Sequence, residues 1–545
     1  MRVTSGLTVR GRGPLLHSTA ALVLVTALAA GCGIDDEPDE KKKPKVGKSS
    51  PRYTGPMVKN AVSAFAMGRV SRLEMKQIER YPDRSVLRFS VANPSKETHH
   101  FSYATSVAGS AFNNIHFTLI DPVHNKAYTP MYDDNGNGKT VGSDLANLVT
   151  PGARYEAVLA FPPLPAHVRT LTVATPTTAG EYTGVPVVDG KGPMTPSAPV
   201  PSPGTTPAPG STVAFPTRPQ NGPMSGGTTD LYSLTEGTVK STTTTNTEQK
   251  IGLRTDVLFD FDKATLTAKA KEVLDQVATE TKANADPAKP PVIITGHTDT
   301  KGDDPYNLRL SNQRAQAVLT ELRNRLGTAY QYRADGKGET EPVAAEGGAD
   351  DEQARQKNRR VEISYKIKQQ STQSSTATER KQKDERAIGT GAPAPFRPTD
   401  GPTVATRTVD FTRWTIKTKR RMDVKAFYRD GAYLVAVFEI TNLGPRDILP
   451  TEDYMGEGGS YGEFGAFTVS DPATNIIYRA VRMGPAAPPN QPVNLNFVDS
   501  GWTVFNEKPN TSNRGFFYAP APPPNVKSVT FDAGAFGKFP NIPIQ

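Results

Sequence analysis

Two distant segments of this 545-residue chain carry nearly the same pattern. Phe117–Tyr128 has the sequence FTLIDPVHNKAY and Phe467–Tyr478 has FTVSDPATNIIY, with Phe-Thr, Asp-Pro, Asn and Tyr at the same offsets. Each follows a strand-like run that ends in an asparagine, Asn93 or Asn442, at nearly the same distance. Because internal repeats mark duplicated structural units, the sequence predicts two related domains that lie far apart in the chain.

The two repeat-bearing regions, residues 61–188 and 403–545, have the pattern of β-strands. Short apolar runs such as Val86–Ala92 and Tyr433–Thr441 are bounded by Pro, Asn and Gly. Many short strands with such turns are typical of β-sandwiches, and we expect two related all-β domains that resemble immunoglobulin-like sandwiches. We expect their most prominent aromatic residues to pack in the cores rather than to form a binding face. These aromatic residues are Trp414, Trp502, Phe516, Phe517 and Tyr518.

The composition favours several modest domains joined by linkers. With 46 Gly, 48 Pro and 36% hydrophobic residues, the chain is poor in core-forming residues for a single globule. Residues 33–60 are rich in Lys, Pro and Ser, which predicts a disordered tether. Residues 189–250 are rich in Pro, Ser, Thr and Gly, which predicts an extended, disordered spacer. Residues 369–402 predict a second polar linker.

Residues 1–32 have the features of a bacterial export signal. Three arginines precede an apolar stretch, Leu15–Ala30, that is short for a membrane span. The single cysteine of the chain, Cys32, follows directly, and Leu28–Cys32 resembles a bacterial lipobox. We therefore expect lipid attachment at Cys32, which would anchor the chain on the outer face of the cytoplasmic or the outer membrane of a bacterium. The alternative is an ordinary secretory signal with an incidental cysteine.

The region between the repeats, residues 251–368, has a mixed pattern that predicts the order β-α-β-α-β-β. An apolar run, Val292–Ile294, leads into a turn of small and acidic residues. Asp303 can cap the helix that begins there, and a proline suits its first turn. Asp299 therefore leaves the end of a strand, and Arg314 lies two to three turns into the following helix. Such a corner can bring both charges to one rim.

Five motifs in this region resemble the OmpA-like peptidoglycan-binding domain of OmpA and of the peptidoglycan-associated lipoproteins. The resemblance covers little more than a fifth of the chain, and its motifs occur in the family's order. They are VLFDFDKATL (Val257–Leu266), ITGHTDTKG (Ile294–Gly302), NLRLSNQRAQAV (Asn307–Val318), GKGETEPVA (Gly336–Ala344) and NRRVEI (Asn358–Ile363).

The resemblance implies a ligand and the residues that hold it. The family binds the stem peptide of peptidoglycan, chiefly its diaminopimelate residue, whose free end carries an ammonium and a carboxylate on one carbon. Asp299 matches the family's ammonium-binding aspartate. Arg314 matches its carboxylate-binding arginine, and a guanidinium can bind a carboxylate through two hydrogen bonds. Asn307 would add amide contacts and order the loop, and Thr300 and Arg359 would complete the site.

Structural roles remain open for several of these residues. Asp299 and Arg314 could pair with each other and only hold the corner. Arg359 and Arg360, at the last strand, could lie on a solvated sheet edge. His297 precedes the turn, and we expect it to point into the domain in a structural role.

The leading functional prediction is a non-enzymatic, lipid-anchored envelope protein that ties a membrane to peptidoglycan, with the β domains as spacers or as binding modules for envelope proteins. The alternative is an interaction scaffold or sensor whose OmpA-like module does not bind the wall. A wall hydrolase needs a carboxylate pair, a metal cluster or a nucleophile triad, and no such set is present.

The sequence indicates no cofactor, no metal and no nucleic-acid partner. The scattered histidines show no metal-ligand spacing. They are His99, His100, His116, His124 and His167. A net charge of +9 is compatible with nucleic acid, yet no aromatic-basic binding motif occurs. Anionic lipid head groups or wall polymers are more natural partners for this charge.

Overall fold

The computed structural model leaves out the predicted leader with Cys32, most of the predicted tether, and Trp414 and Trp502. None of the helices in the part of the chain that it describes is long and apolar enough to cross a bilayer. The structure describes residues 55–62, 69–101, 117–133, 140–145, 147–218, 222–289, 291–348, 351–368, 391–413, 416–446, 464–485, 496–500 and 508–545.

The first β-rich region encloses one apolar core between two sheets. Its strands are β1 (Met57–Val62), β2 (Val70–Arg80), β3 (Ser85–Ala92), β4 (His99–His100), β5 (Thr118–Asp121), β6 (Lys126–Asp133), β7 (Leu148–Val149), β8 (Arg154–Phe161), β9 (Thr170–Ala174) and β10 (Glu181–Asp189). One sheet has the order β1-β2-β3-β8 and the other β6-β5-β9-β10. Leu73 and Phe89 from the first sheet meet Leu119 and Leu171 from the second. The repeated segment Phe117–Tyr128 contains the turn that joins β5 to β6 in an antiparallel pair.

The predicted disordered spacer at residues 189–250 is wrong, because this segment forms strands. They are β11 (Thr212–Ala214), β12 (Met224–Glu236) and β13 (Lys240–Thr244). β11 pairs with β8, and β12 pairs with β6 and β13. The physical reason is that threonine is β-branched and favours extended backbone, and that Leu231 of β12 is fully buried. The predicted tether at residues 33–60 also ends too late, since β1 begins at Met57.

The central module packs two long helices on a four-stranded sheet. Its elements are β14 (Glu248–Arg254), α1 (Thr255–Leu258), α2 (Ala268–Asn284), β15 (Val292–Gly296), α3 (Asp304–Leu326), β16 (Tyr332–Gly336), α4 (Asp351–Asn358) and β17 (Arg360–Lys366). The sheet order is β14-β17-β15-β16, with only β15 and β16 parallel. Leu274 of α2 and Val318 of α3 pack against Ile294 and Ile363 of the sheet.

The module follows the predicted element order with two additions, α1 and α4. The predicted start of α3 is confirmed, because the Asp303 side chain accepts a hydrogen bond from the backbone N–H of Tyr306. The helix α4 lies in an acidic, glycine-rich stretch and was not predicted. It buries only Ala354 and Asn358, so no apolar stripe announces it.

The last β-rich region repeats the strand pairings of the first. Its strands are β18 (Thr403–Arg413), β19 (Ile416–Lys425), β20 (Tyr428–Asp430), β21 (Tyr433–Asn442), β22 (Thr468–Ser470), β23 (Ile477–Arg479), β24 (Arg482–Met483), β25 (Asn496–Phe497), β26 (Ser512–Pro520), β27 (Ser528–Asp532) and β28 (Lys538–Pro543). The sheet β18-β19-β21-β26 corresponds to β1-β2-β3-β8. The path β23-β22-β27-β28 corresponds to β6-β5-β9-β10.

The repeated turn residues make the same hydrogen bonds in both regions. The Oδ1 atoms of Asn93 and Asn442 each accept from the backbone N–H two residues further on, at 2.8 Å. Asp121 and Asp471 do the same, at 3.1 and 3.0 Å. The sequence repeat therefore reflects shared turn chemistry, in which a short polar side chain fixes the exit from each strand.

Strand β12 pairs with strands from more than one part of the chain. Besides β6 and β13, it pairs with β23 and β24 of the last region. Hydrogen-bonded strands therefore run without interruption in the order β28-β27-β22-β23-β12-β13-β14-β17-β15-β16. The module and the last β-rich region share this sheet.

A buried polar network joins the two β-rich regions. Glu181 of β10 accepts from Arg514 of β26 at 2.6 Å and from the Tyr428 hydroxyl at 2.7 Å. Arg514 also donates to Asp400 at 2.6 Å. Asp400 lies in the predicted second linker, residues 369–402, whose described part from 391 onward packs between the two regions and so departs from a free linker.

The aromatic residues of β26 lie inside the protein. Phe516, Phe517 and Tyr518 are all fully buried, as core packing requires. Phe517 packs in the core of the last region, whereas Phe516 and Tyr518 pack in a separate apolar cluster with Ile120 and Ala174 of the first region. This cluster forms an apolar contact between the two regions.

Two glycines on neighbouring strands set the position of α3. Gly296 and Gly336 are paired at the ends of β15 and β16. A Cβ on Gly296 would lie 2.1 Å from the Ser311 carbonyl oxygen, and one on Gly336 would lie 2.4 Å from the Asn312 backbone nitrogen. The strand ends can therefore approach the α3 backbone closely because both positions lack a side chain. Arg314 lies one turn further along the same helix.

We expect Gly296→Ala to lower the free energy of unfolding by about 2 kcal/mol, because the new methyl group must push α3 away from the sheet. Urea unfolding followed by circular dichroism measures the change. Gly348→Ala is the matched control, since a Cβ at Gly348 would have no atom within 4 Å. An equal loss in both variants would show that the contact with Ser311 is not the cause.

Candidate functional site

Asp299 lies just beyond the carboxyl end of β15 and is 8% exposed. Its Oδ1 accepts from the Lys301 backbone N–H at 3.2 Å, and its Oδ2 accepts from Arg359 at 2.7 Å. The ion pair of this aspartate is therefore with Arg359 and not with Arg314, which was the simple structural alternative. The carboxylate is held in place at the rim of the module.

Arg314 is buried on α3 and has a different environment. Its Nε donates to the Lys263 carbonyl at 3.0 Å, and its guanidinium lies 5.3 Å from the centre of the Phe259 ring. Among the described residues, no carboxylate lies within 4.0 Å of this guanidinium. Burial lowers the pKa of Arg314 from its ordinary value, and the charges of Asp256 and Asp262 oppose that shift. The result is a positioned cation without a close anion.

Arg359 is the centre of an acidic cluster. Its guanidinium lies 2.7 Å from Asp299, 3.0 Å from Asp256 and 3.0 Å from Glu352. The hydrogen bonds that Arg359 donates to these carboxylates raise its pKa above the ordinary value, and the bonds to Asp256 contribute most to that shift. Arg359 therefore contacts the predicted site directly and does not lie on a solvated sheet edge.

The side chains of Asn307 and Thr300 form hydrogen bonds within the module itself. The buried Asn307 amide donates to the Lys301 carbonyl at 3.0 Å and to Glu339 at 2.7 Å, which closes the loop before α3. The Thr300 hydroxyl donates to Glu346 at 2.5 Å. Of the two roles predicted for Asn307, the ordering of the loop is the one that these contacts describe.

His297 and Arg360 are both buried and have surroundings different from those of Asp299. His297 is 1% exposed, and neither ring nitrogen has a hydrogen-bond partner within the described part of the chain. Burial lowers the pKa of His297 to about 3, with help from the charge of Arg360. The imidazole is therefore neutral, as its predicted structural role requires. Arg360 is also buried and donates to Glu362 at 2.8 Å.

Sequence reasoning missed the residues that reach the site from distant positions. Asp256 precedes its partner Arg359 by 103 residues, and Glu352 lies on the unpredicted helix α4. Lys263 takes part only through its backbone carbonyl, which no side-chain pattern encodes. Phe261, in the same loop, is 96% exposed. The only sequence feature that marks this loop is the phenylalanine between two aspartates, Asp260 and Asp262.

Two of the histidines that looked scattered in the sequence lie together in the first β-rich region. The rings of His124 and His167 are 4.6 Å apart, and His124 lies 2.7 Å from Asp121. Over the described ranges, no group of three or more His, Cys, Asp or Glu side chains is arranged to hold a metal ion.

The comparisons with known proteins identify the module. Residues 258–359 match the family model of the OmpA family, so this part of the chain is an OmpA-like domain and the predicted resemblance is confirmed. Outer membrane protein A of Shimwellia blattae is 44% identical over 91 residues, which are 17% of this chain and 37% of that protein. The chain thus spans little more than a third of that relative's length.

Two solved structures are similar to part of the chain. The cell wall anchor of the T6SS from Pseudomonas aeruginosa is 29% identical, with 24% of this chain and 88% of that chain covered and a TM-score of 0.21. The peptidoglycan-associated lipoprotein from Burkholderia pseudomallei is 32% identical, with 20% of this chain and 86% of that chain covered and a TM-score of 0.17.

The neutral, buried His297 makes stability fall with acidity. Its folded pKa of about 3 lies below the ordinary 6.5, so the unfolded chain binds the extra proton. Between pH 7 and 5 we expect this residue alone to lower the free energy of unfolding by about 2 kcal/mol. His297→Gln should remove that part of the loss, as measured by urea unfolding at both pH values.

His124→Gln is the control variant, in which the expected change in the pH dependence of stability has the opposite sign. Asp121 raises the pKa of His124, so this histidine adds stability at low pH and loses it as the pH rises through its folded pKa. His124→Gln should therefore steepen the loss on acidification. An unchanged pH dependence in His297→Gln would contradict the neutral, buried histidine.

Proposed function

We propose that this protein binds peptidoglycan without catalysis, through the rim of its OmpA-like domain at Asp299 and Arg314. The observation that carries the proposal is the buried Arg314 guanidinium, which has a backbone carbonyl but no close carboxylate among the described residues. A fixed guanidinium of this kind suits a ligand carboxylate, which it can bind through two hydrogen bonds.

The acidic cluster around Arg359 suits the ammonium of the same ligand. Asp256, Asp299 and Glu352 surround one guanidinium, so the cluster keeps an excess of negative charge. The charges of Asp256 and Arg359 both act on the pKa of Arg314, which supports the assignment of the two charged parts to one ligand. The ligand is then a zwitterion, and the diaminopimelate of the wall stem peptide has such an end. Asn307 and Thr300 order the surrounding loop.

The other parts of the chain would determine where in the cell this site acts. A lipid on Cys32 would hold the protein on the outer face of a bacterial membrane, and two acyl chains suffice for stable anchoring. The protein would then tether that membrane to the wall. The two β-rich regions, to which we assign an immunoglobulin-like sandwich architecture, act as spacers or as binding modules for envelope proteins.

A second candidate function is an interaction scaffold or sensor whose module does not bind the wall. The observation that favours it is the sheet shared by the module and the last β-rich region, which makes the module part of one larger surface. In that case Arg314 would serve only to fix the loop at Lys263.

Sedimentation with insoluble peptidoglycan tests the proposal. We expect residues 33–545 to pellet with the wall, and Arg314→Gln or Asp299→Asn to weaken binding at least about tenfold, because each removes a charge-assisted contact. The segment that carries β12 and β13 belongs in the sample because it pairs with the module.

Arg323→Gln is the matched control, since Arg323 is an exposed arginine of the same helix, toward its other end. Circular dichroism verifies that each variant is folded. Wild-type protein that stays in the supernatant would exclude wall binding and leave the scaffold. Equal binding by all variants would move the site away from Asp299 and Arg314.

A further inference from the structure

A cavity of about 190 Å³ opens on the first β-rich region, and its lining combines apolar side chains such as Val58 with the charged side chains of Arg72, Glu74 and Arg154. The small residues Ser90 and Ala92 of β3 are part of its lining. Strand register places Arg72 on one side of Ala92 and Arg154 on the other, on the two neighbouring strands. Since adjacent strands lie about 4.8 Å apart, both guanidinium groups can reach over the alanine.

The two arginines of this cavity have different partners. Arg154 is ion-paired with Glu74, and the Ser90 hydroxyl also donates to Glu74 at 3.4 Å. Arg72 is exposed, and in the described ranges its side chain has neither a hydrogen bond nor an ion pair. Two cations and one anion therefore line the cavity, and one cation is unpaired.

In the last β-rich region, the arginine that corresponds to Arg72 has hydrogen-bond partners. There the strand register places Arg421 beside Thr441, as it places Arg72 beside Ala92. Arg421 donates to Asp423 at 2.8 Å and to the Thr441 hydroxyl at 3.4 Å. Ser512 lies on the other side of Thr441, where the first region has Arg154. The duplicated unit thus satisfies its arginine in one copy and leaves it free in the other.

Neighbouring charged side chains on the same face already have hydrogen-bond partners. Arg88 donates to the carbonyl oxygens of Pro193 and Thr195, and Glu156 accepts from the backbone N–H groups of Ser197 and Ala198. The proline-rich segment that follows β10 therefore covers this part of the sheet. The cavity lies where that cover does not reach.

We propose that this cavity binds the oxyanion of a small ligand, a carboxylate or a phosphate, between Arg72 and Arg154 above Ala92. Two guanidinium groups provide paired N–H donors of the geometry that these anions accept. Glu74 keeps Arg154 in place, and Ser90 leaves room for the anion. This site is independent of the proposed wall-binding rim.

Calorimetric titration of residues 33–545 tests the site with three sugars of similar size: glucuronate, glucose 1-phosphate and glucose. We expect one or both of the anionic sugars to bind and glucose to give no heat of binding. Heat from glucuronate alone identifies a carboxylate site, and heat from glucose 1-phosphate alone identifies a phosphate site. No binding of either anion at millimolar concentration would overturn the proposal.

Two substitutions tie the binding to this cavity. Arg72→Gln removes the unpaired cation, and we expect at least about tenfold weaker binding. Ala92→Thr rebuilds the arrangement of the last region, so it should fold normally, engage Arg72 and close the site. Arg421→Gln is the matched control and should bind like wild type. Undiminished binding in Arg72→Gln and Ala92→Thr, with unchanged melting temperatures, would overturn the assignment.

Discussion

Backbone hydrogen bonds along one strand, β12, hold the folded parts of this chain together. Its first half pairs with β6 of the first β-rich region, from Met224 opposite Asp133 to Asp230 opposite Lys126. Its second half pairs with β13, which leads into the module, and with β23 of the last region. Each such bond contributes about 1 kcal/mol, so the junction is stable only because many form together. The rim of the module that carries Asp299 and Arg314 consequently has a fixed place relative to both β-rich regions.

The buried network around Glu181 adds orientation to that junction. A buried ion pair contributes little net stability because desolvation offsets its attraction, but a misplaced partner is costly. Glu181, Arg514 and Asp400 are therefore satisfied in one docking geometry of the two regions.

At the rim of the module the charges are not matched to one another in this way. Arg359 is surrounded by three carboxylates, whereas Arg314 has none within 4.0 Å among the described residues. This uneven distribution of charge is the basis for proposing a zwitterionic ligand.

Local signals in the sequence were sufficient for much of the fold. The repeat, the Asp303 cap and the places of Asp299 and Arg314 all follow from residues near one another in the chain. The strands of residues 189–250 have no clear local signal, because a composition rich in Pro, Ser and Thr is typical of disorder and partner strands from three regions order this segment. The contact of Arg359 with Asp256 and the cavity at Arg72 depend on strand register, which single-sequence patterns do not specify.

The most direct test of the central claim compares two stem peptides that differ by one carboxylate. Calorimetry would measure binding of a diaminopimelate-containing peptide and of its lysine-containing counterpart to residues 33–545 and to Arg314→Gln. The account predicts that wild-type protein prefers the diaminopimelate peptide by about tenfold or more and that Arg314→Gln loses the preference. Equal affinity of wild-type protein for both peptides would contradict it, because the cation on α3 would then have no carboxylate to bind.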